Sequence, residues 1–154
     1  MADMIVMREK EGKNLHRHFK ARGKFLQKLL AQVAKHAPDS VQSYQDRLLE
    51  RVNRLLAERE VALNQQDLLR EVAIIAERSD ITEEIERMQS HLAQFEESLE
   101  ANEPVGRKLE FLIQEMFRES NTMTSKCISP ELSRNLVDIK AEVDRLKEQI
   151  QNVE

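Results

Sequence analysis

The stretch PELSRNLVDIKAEVDRLKEQIQNV, Pro130 to Val153, has the most regular apolar spacing in the chain. Apolar side chains recur there in steps of three and four residues, which places one apolar seam along a helix and requires a partner helix to cover it. Ser129 suits the N-cap position and Pro130 the first helical position, so the helix is predicted to begin there. The seam residues are Leu132, Leu136, Ile139, Val143, Leu146, Ile150 and Val153.

A similar apolar seam lies earlier in the chain, between residues 81 and 99. Ser79-Asp80 comes just before this seam and interrupts the helical pattern. Asp80 with Glu83 three residues later resembles a capping box, which predicts a break or a reset of the helix at that point. A short loop is expected over residues 102–104 because Asn, Glu and Pro follow one another there. The seam residues are Ile81, Ile85, Met88, Leu92, Phe95 and Leu99.

Helical spacing of apolar residues also covers the first half of the chain. It predicts one helix over residues 3–37, a second from Pro38 to about residue 60, and a third over residues 64–78. Pro38 is expected to end the first helix or to open the second. The predicted fold is therefore all-α: a single helical domain over residues 1–154, with five or six long helices in an extended hairpin or bundle that has coiled-coil-like seams.

The composition agrees with this prediction. Of the 154 residues, 34% are charged and 4% are aromatic, with three Gly, three Pro and no Trp, which is poor material for strands and turns. No apolar run is long enough to span a membrane, and the N-terminus has no secretory apolar segment. Cys127 is the only cysteine and excludes an internal disulfide, which fits a cytoplasmic location.

Charge is distributed unevenly along the chain. The net charge of −4 combines +6 over residues 1–36 with −10 over the remainder. The basic residues are expected to surround the first helix instead of forming one stripe. Two interpretations stay open: the basic segment binds nucleic acid, or it neutralises an acidic neighbouring helix.

The segment GRKLEFLIQEMFRESNTMTSK, Gly106 to Lys126, has an unusual polar face opposite its apolar one. Glu115 and Glu119 are four residues apart, so their carboxylates can share a divalent cation, although such pairs are often solvated or matched by a neighbouring Arg. On the preceding helix, Glu84, Arg87 and His91 lie on one side, and His91 can act as a general acid or base near neutral pH. Helical histidines are, however, more often structural or solvated.

The chain resembles the C-terminal helical region of the YicC/YloC family of bacterial endoribonucleases. Three stretches carry the resemblance: REKEGKNL from Arg8, REVAIIAERSDITEEIERMQSHLAQF from Arg70, and the segment from Gly106 continuing to the terminal EQIQNVE. The resemblance implies metal-dependent cleavage of RNA and assembly as a homo-hexamer in the cytoplasm. It also implies a preceding β-containing domain, which is expected to be absent from this chain.

The sequence thus predicts an endoribonuclease that uses Mg²⁺ or Mn²⁺ to hydrolyse RNA phosphodiester bonds. Glu115 and Glu119 are the predicted metal ligands and, with His91, the catalytic groups. The alternatives are an oligomeric RNA-binding or nuclease-adaptor protein that does not cut RNA, and a structural scaffold. The predicted RNA-binding residues are Arg87, Arg107, Lys108, Gln114, Arg118, Asn121, Ser125 and Lys126.

Overall fold

The computed structural model describes residues 2–59, 62–101 and 105–152, with side chains described from residue 12 onward. Over these residues the chain forms five α-helices, so the all-α prediction is confirmed. The helices are α1 (Ala2–Arg59), α2 (Gln65–Ser79), α3 (Thr82–Glu100), α4 (Gly106–Lys126) and α5 (Pro130–Gln151).

The prediction of two helices meeting at Pro38 is wrong, because α1 runs through Pro38 without interruption for 58 residues. At 1.5 Å per residue it is about 87 Å long. A proline inside a helix removes one backbone hydrogen bond, at a cost of about 3 kcal/mol. The apolar residues Val33, Ala37 and Val41 nevertheless keep helical spacing across Pro38. Packing on both sides of the proline therefore favours one continuous helix.

The first part of α1 packs with α3, α4 and α5 in a four-helix bundle. Its neighbours are α3 and α5, whereas α4 contacts α3 and α5 and occupies the corner diagonal to α1. The Phe19 ring lies against Phe95 near the end of α3, with centroids 5.9 Å apart, and Ala37 lies near Ile81 at the start of α3. The two helices are therefore antiparallel.

The predicted apolar seams form the core of this bundle. Every seam residue of the α3 stretch is buried, and so are those of α5 from Leu132 to Leu146. Ile150 is partly buried, and Val153 lies outside the described residues. The apolar arc of α4 is also buried, except for Phe117, which is partly buried under two lysines of α5.

Beyond Pro38, the second part of α1 pairs with α2 in a two-helix hairpin. The chain then turns at Ser79–Ile81 and enters the bundle as α3. Asp80 Oδ1 accepts hydrogen bonds from the Thr82 backbone N–H (2.9 Å) and hydroxyl (2.6 Å). The break at this point is confirmed, but the capping box is wrong, since Glu83 pairs with Arg87 and Asp80 accepts from a single backbone N–H, that of Thr82.

The loop predicted over residues 102–104 lies outside the described residues. Among the helices that the structure describes, none combines the length and apolar character that crossing a membrane requires.

Candidate functional site

Six ionisable side chains line the interface of α3 and α4 on one side of the bundle. On α3 they fall within about 60° of one another around the helix axis, and on α4 within about 40°. The two helices are antiparallel, so residues near the start of α3 face residues near the end of α4. This group, called the polar row below, comprises Glu84, Arg87 and His91 of α3 and Glu115, Glu119 and Lys126 of α4.

At one end of the polar row, Glu84 is paired with Lys126. The ammonium Nζ lies 2.6 Å from Glu84 Oε1 and also donates to the backbone carbonyl of Asp80 at 3.4 Å. The Glu84 side chain is only 5% exposed, and its second oxygen, Oε2, is buried without a hydrogen-bond partner among the described residues. A buried carboxylate with one free oxygen retains capacity to accept another hydrogen bond or a cation.

At the centre of the row, Arg87 approaches Glu119. Their Nη1 and Oε1 atoms are 3.8 Å apart, which permits electrostatic attraction but is too long for a hydrogen bond. The Glu119 side chain is 5% exposed, so it lies inside the bundle and not at the border of the polar face. Arg87 makes its hydrogen bond to Glu83 instead. The Glu119 carboxylate is therefore held near a positive charge without being tightly bonded to it.

His91 continues the row along α3. Its Nδ1 atom is buried and has no hydrogen-bond partner within the described part of the chain. Because α3 and α4 are antiparallel and Arg87 faces Glu119, the position one turn further along α3 faces α4 near Glu115. A buried ring nitrogen without a partner is uncommon in folded proteins, which makes His91 a candidate site residue.

Glu115 is the least enclosed carboxylate of the row. Its side chain is 24% exposed, and its Oε1 atom lies 3.5 Å from Arg118 Nη1 on the same helix. Glu115 and Glu119 lie one turn apart on one face of α4, as predicted from their spacing. Within the described residues, no third His, Cys, Asp or Glu joins them in a group able to hold a metal ion.

The other predicted site residues of α4 do not share this surface. Lys108 is on the same side as Glu119 but about three turns away, and it is exposed. The remaining five are turned by about 100° or more toward the outer side of the helix. There, Gln114 bonds to Glu110 and the Ser125 hydroxyl donates to the Thr122 carbonyl. The five are Arg107, Gln114, Arg118, Asn121 and Ser125.

Two carboxylates beside the predicted site were not among the predicted residues. Glu84 belongs to the polar row, and Asp80 lies at its end, where the Thr82 hydroxyl, the Thr82 backbone N–H and Lys126 together lower the pKa of the Asp80 carboxyl. The spacing of Glu84 and His91 along one side of α3, with Asp80 just before its start, is visible in the sequence. Their burial and their pairing with α4 are not, because they depend on how the two helices pack.

Comparison with known proteins places the chain in a family. A model described as endoribonuclease YicC-like, C-terminal, matches residues 33–154. A probable endoribonuclease YicC of Clostridioides difficile is 37% identical over 148 residues, which cover 96% of this chain and 50% of that protein. A probable endoribonuclease YicC of Haemophilus influenzae is 33% identical over 154 residues, which cover the whole chain and 52% of that protein.

The chain therefore spans about half the length of the curated relatives it matches. The family model includes α2 to α5 and the polar row, and begins inside α1. The resemblance stated from the sequence is confirmed: the chain belongs to the YicC-like endoribonuclease family and corresponds to its C-terminal region.

Proposed function

We propose that this chain is an endoribonuclease module that hydrolyses RNA phosphodiester bonds at the polar row. The observation that supports it best is the approach of the buried Glu119 carboxylate to Arg87, one turn along α3 from His91, whose Nδ1 is buried without a hydrogen-bond partner among the described residues. Buried ionisable groups that converge without fully satisfying one another are typical of sites where charge or protons are exchanged. The names of the relatives supply the reaction class.

Glu115 and Glu119 are the proposed ligands of a divalent cation, Mg²⁺ or Mn²⁺. Their carboxylate oxygens are the hard donors that these ions prefer, and Mg²⁺ is commonly held by one or two carboxylates together with water and substrate phosphate. Glu119 has no hydrogen bond that would have to break, and Glu115 is tied only to the exposed Arg118. When bound, such an ion supplies Lewis-acid stabilisation of the charge that develops on the phosphate.

The remaining residues of the row have proposed roles in binding and proton transfer. Arg87 and Lys126 attract the phosphate, and Arg87 is already held beside the reacting region by Glu83 and Glu119. His91 accepts a proton from the attacking water through Nδ1. Lys108, on the Glu119 side of α4, and Arg107 and Arg118, on its outer face, are proposed to hold the RNA strand. Gln114, Asn121 and Ser125 are proposed to orient ribose or water.

A second function, RNA binding by a helical oligomer without cleavage, is favoured by a different observation. Both carboxylates proposed to bind metal also lie within 4 Å of an arginine, and no third metal-binding side chain accompanies them among the described residues. Assembly of several copies, with the hexamer as the state proposed, is supported by exposed apolar residues of the hairpin such as Leu55 and Leu69. We propose a cytoplasmic location for either function.

The test compares the chain with the double variant Glu115→Gln, Glu119→Gln. We expect cleavage of a labelled hairpin RNA in Mg²⁺ or Mn²⁺ to fall at least about a hundredfold, and Mn²⁺ binding measured by electron paramagnetic resonance to be lost. The matched control is Asp46→Asn, Glu50→Gln, which removes two exposed carboxylates of the same spacing from α1.

Circular dichroism and size-exclusion chromatography show whether the variants keep the fold and the assembly. Unchanged cleavage and Mn²⁺ binding in the folded double variant would remove these carboxylates from the site. RNA binding without cleavage by the unmodified chain would favour the second function.

A further inference from the structure

A basic surface lies on α1, away from the polar row. Between residues 12 and 38 the chain has seven Lys and Arg residues and no Asp or Glu. The basic residues of α1 were expected to surround the helix. That expectation is wrong for the basic residues with described side chains, because all but Arg22 lie on one side of the helix. Arg22 turns inward, and its Nη1 lies 2.5 Å from the buried Glu142 of α5.

The other six fall within about 80° of one another around the axis of α1. They are separated by three, four or seven residues, so they form one line about 33 Å long at 1.5 Å per residue. This line, called the α1 stripe below, comprises Lys13, Arg17, Lys20, Lys24, Lys28 and Lys35.

The α1 stripe faces away from the bundle. The buried residues of the same helix, such as Phe19, Leu26 and Val33, lie almost directly opposite it around the axis. The core therefore fixes the orientation of the stripe. Because α1 and α4 occupy diagonal corners, the stripe and the outer face of α4 are on opposite sides of the bundle.

Among the described side chains, only one residue of the stripe has a carboxylate partner. Lys20 Nζ lies 3.0 Å from Glu100, but both side chains are exposed, and such a pair is weak. Arg17 bonds only to Asn14, and Lys24, Lys28 and Lys35 lie within 4 Å of no carboxylate that the structure describes. A stripe that served to neutralise acidic neighbouring helices would show ion pairs to α3 and α5, and it shows one.

We infer that the α1 stripe binds the sugar-phosphate backbone of RNA, as a second contact surface separate from the polar row. Arginine and lysine attract phosphates, and a row of them releases counterions from the strand without reading its bases. From Lys13 to Lys28 the positive charges recur at intervals of about 4.5 to 6 Å along the helix axis, which suits the close spacing of backbone phosphates, and Lys35 follows about 10.5 Å further on. This inference rests on the proposed function, which identifies RNA as the polyanion. It adds a second surface to which the RNA binds.

The experiment measures the affinity for a fluorescent single-stranded RNA by anisotropy, in EDTA so that cleavage is absent. The variant replaces four residues of the stripe by Gln: Arg17, Lys24, Lys28 and Lys35. The control replaces four exposed arginines further along the same helix, Arg47, Arg51, Arg54 and Arg59, with the same change in net charge. We expect the stripe variant to raise Kd at least about tenfold and to reduce the slope of log Kd against log salt by up to about 3, and the control to change both much less.

Equal losses in the two variants would overturn the inference, since net charge alone would then explain binding. Unchanged affinity of the stripe variant, with a changed molar mass in light scattering, would overturn it in favour of an acidic surface on a second copy. The proposed function is assessed separately, because cleavage at saturating RNA should survive in the stripe variant and fail in Glu115→Gln, Glu119→Gln.

Discussion

The two ends of the described part of α1 carry similar apolar spacing but meet different surroundings. In the bundle, Phe19, Leu26 and Val33 are buried by α3 and α5. In the hairpin, Leu55 is 47% exposed, and Leu69 of α2 is 55% exposed. A helix buries its apolar face fully only where partners cover it on more than one side, and in the hairpin α2 is the only partner within the described chain. The difference shows that periodicity predicts a helix and its apolar face but does not predict how deeply that face is covered.

The ion pairs of the bundle and of the hairpin also differ in the exposure of their side chains. In the bundle, pairs such as Lys126–Glu84 and Arg22–Glu142 include a carboxylate that is nearly inaccessible. In the hairpin, Arg54 and Glu50 are both largely exposed. Burial raises the cost of leaving a charge without a partner, whereas exposed pairs are screened and contribute little. The polar row lies in the bundle, where Glu84 and Glu119 are enclosed.

The largest effect is expected from truncating the bundle core. Phe95→Ala removes a fully buried ring that packs on Phe19 and should lower the free energy of unfolding by about 3 to 5 kcal/mol. Leu55→Ala in the hairpin should lower it by less than about 1 kcal/mol, because nearly half of that side chain is already in solvent. Urea denaturation followed by circular dichroism measures both. Similar losses would break the comparison and indicate that the hairpin face is covered in solution.

A smaller effect is expected from the buried ion pair of the polar row. Lys126→Met leaves the Glu84 carboxylate without its partner and should cost about 2 kcal/mol of stability, less than for a fully buried pair because the lysine is partly exposed. Adding Glu84→Gln to that variant should recover much of the loss. The matched control, Arg54→Met in the hairpin, should cost less than about 0.5 kcal/mol. A double variant no more stable than Lys126→Met would show that the loss does not come from the unpaired charge.

Much of the bundle could be predicted from the sequence. The positions of α2 to α5 and their buried residues follow from apolar periodicity and capping residues, which are local properties. The error at Pro38 has a physical cause: the local rule against proline in a helix was outweighed by packing on both sides of it, which only the folded chain reveals.

The candidate site was less accessible to sequence reasoning. The spacing of Glu115 and Glu119 placed them on one face of α4, but it did not show that Glu119 is buried or that Arg87 reaches it. Similarly, a helical wheel puts Arg22 on the apolar side of α1, but it does not show that Glu142 of α5 pairs with it. Contacts between helices depend on the register and the rotation of each helix relative to its neighbours, which are properties of the packed bundle.

The smallest effect is expected at the joint between the two regions, where the Asp80 carboxylate accepts hydrogen bonds from Thr82, the first residue of α3. Hydrogen bonds from Thr82 and the charge of Lys126 lower the pKa of Asp80 in the folded protein. The stabilisation that the ionised carboxylate provides is therefore complete above its unfolded pKa of about 3.9 and is lost as the pH falls through the lower folded value. Asp80→Ala should cost about 1 kcal/mol at neutral pH, a typical value for lost hydrogen bonds, and progressively less below about pH 4.

Denaturation curves of Asp80→Ala and of the unmodified chain, recorded across this pH range, measure the difference. Asp80→Asn is the control, because its side-chain oxygen can still accept from the Thr82 N–H but does not titrate. Its deficit relative to the unmodified chain should be smaller at neutral pH than that of Asp80→Ala. A cost of Asp80→Ala that stays constant down to the lowest pH would mean that the carboxylate charge does not stabilise the joint. The bundle and the hairpin would then be joined by backbone geometry alone.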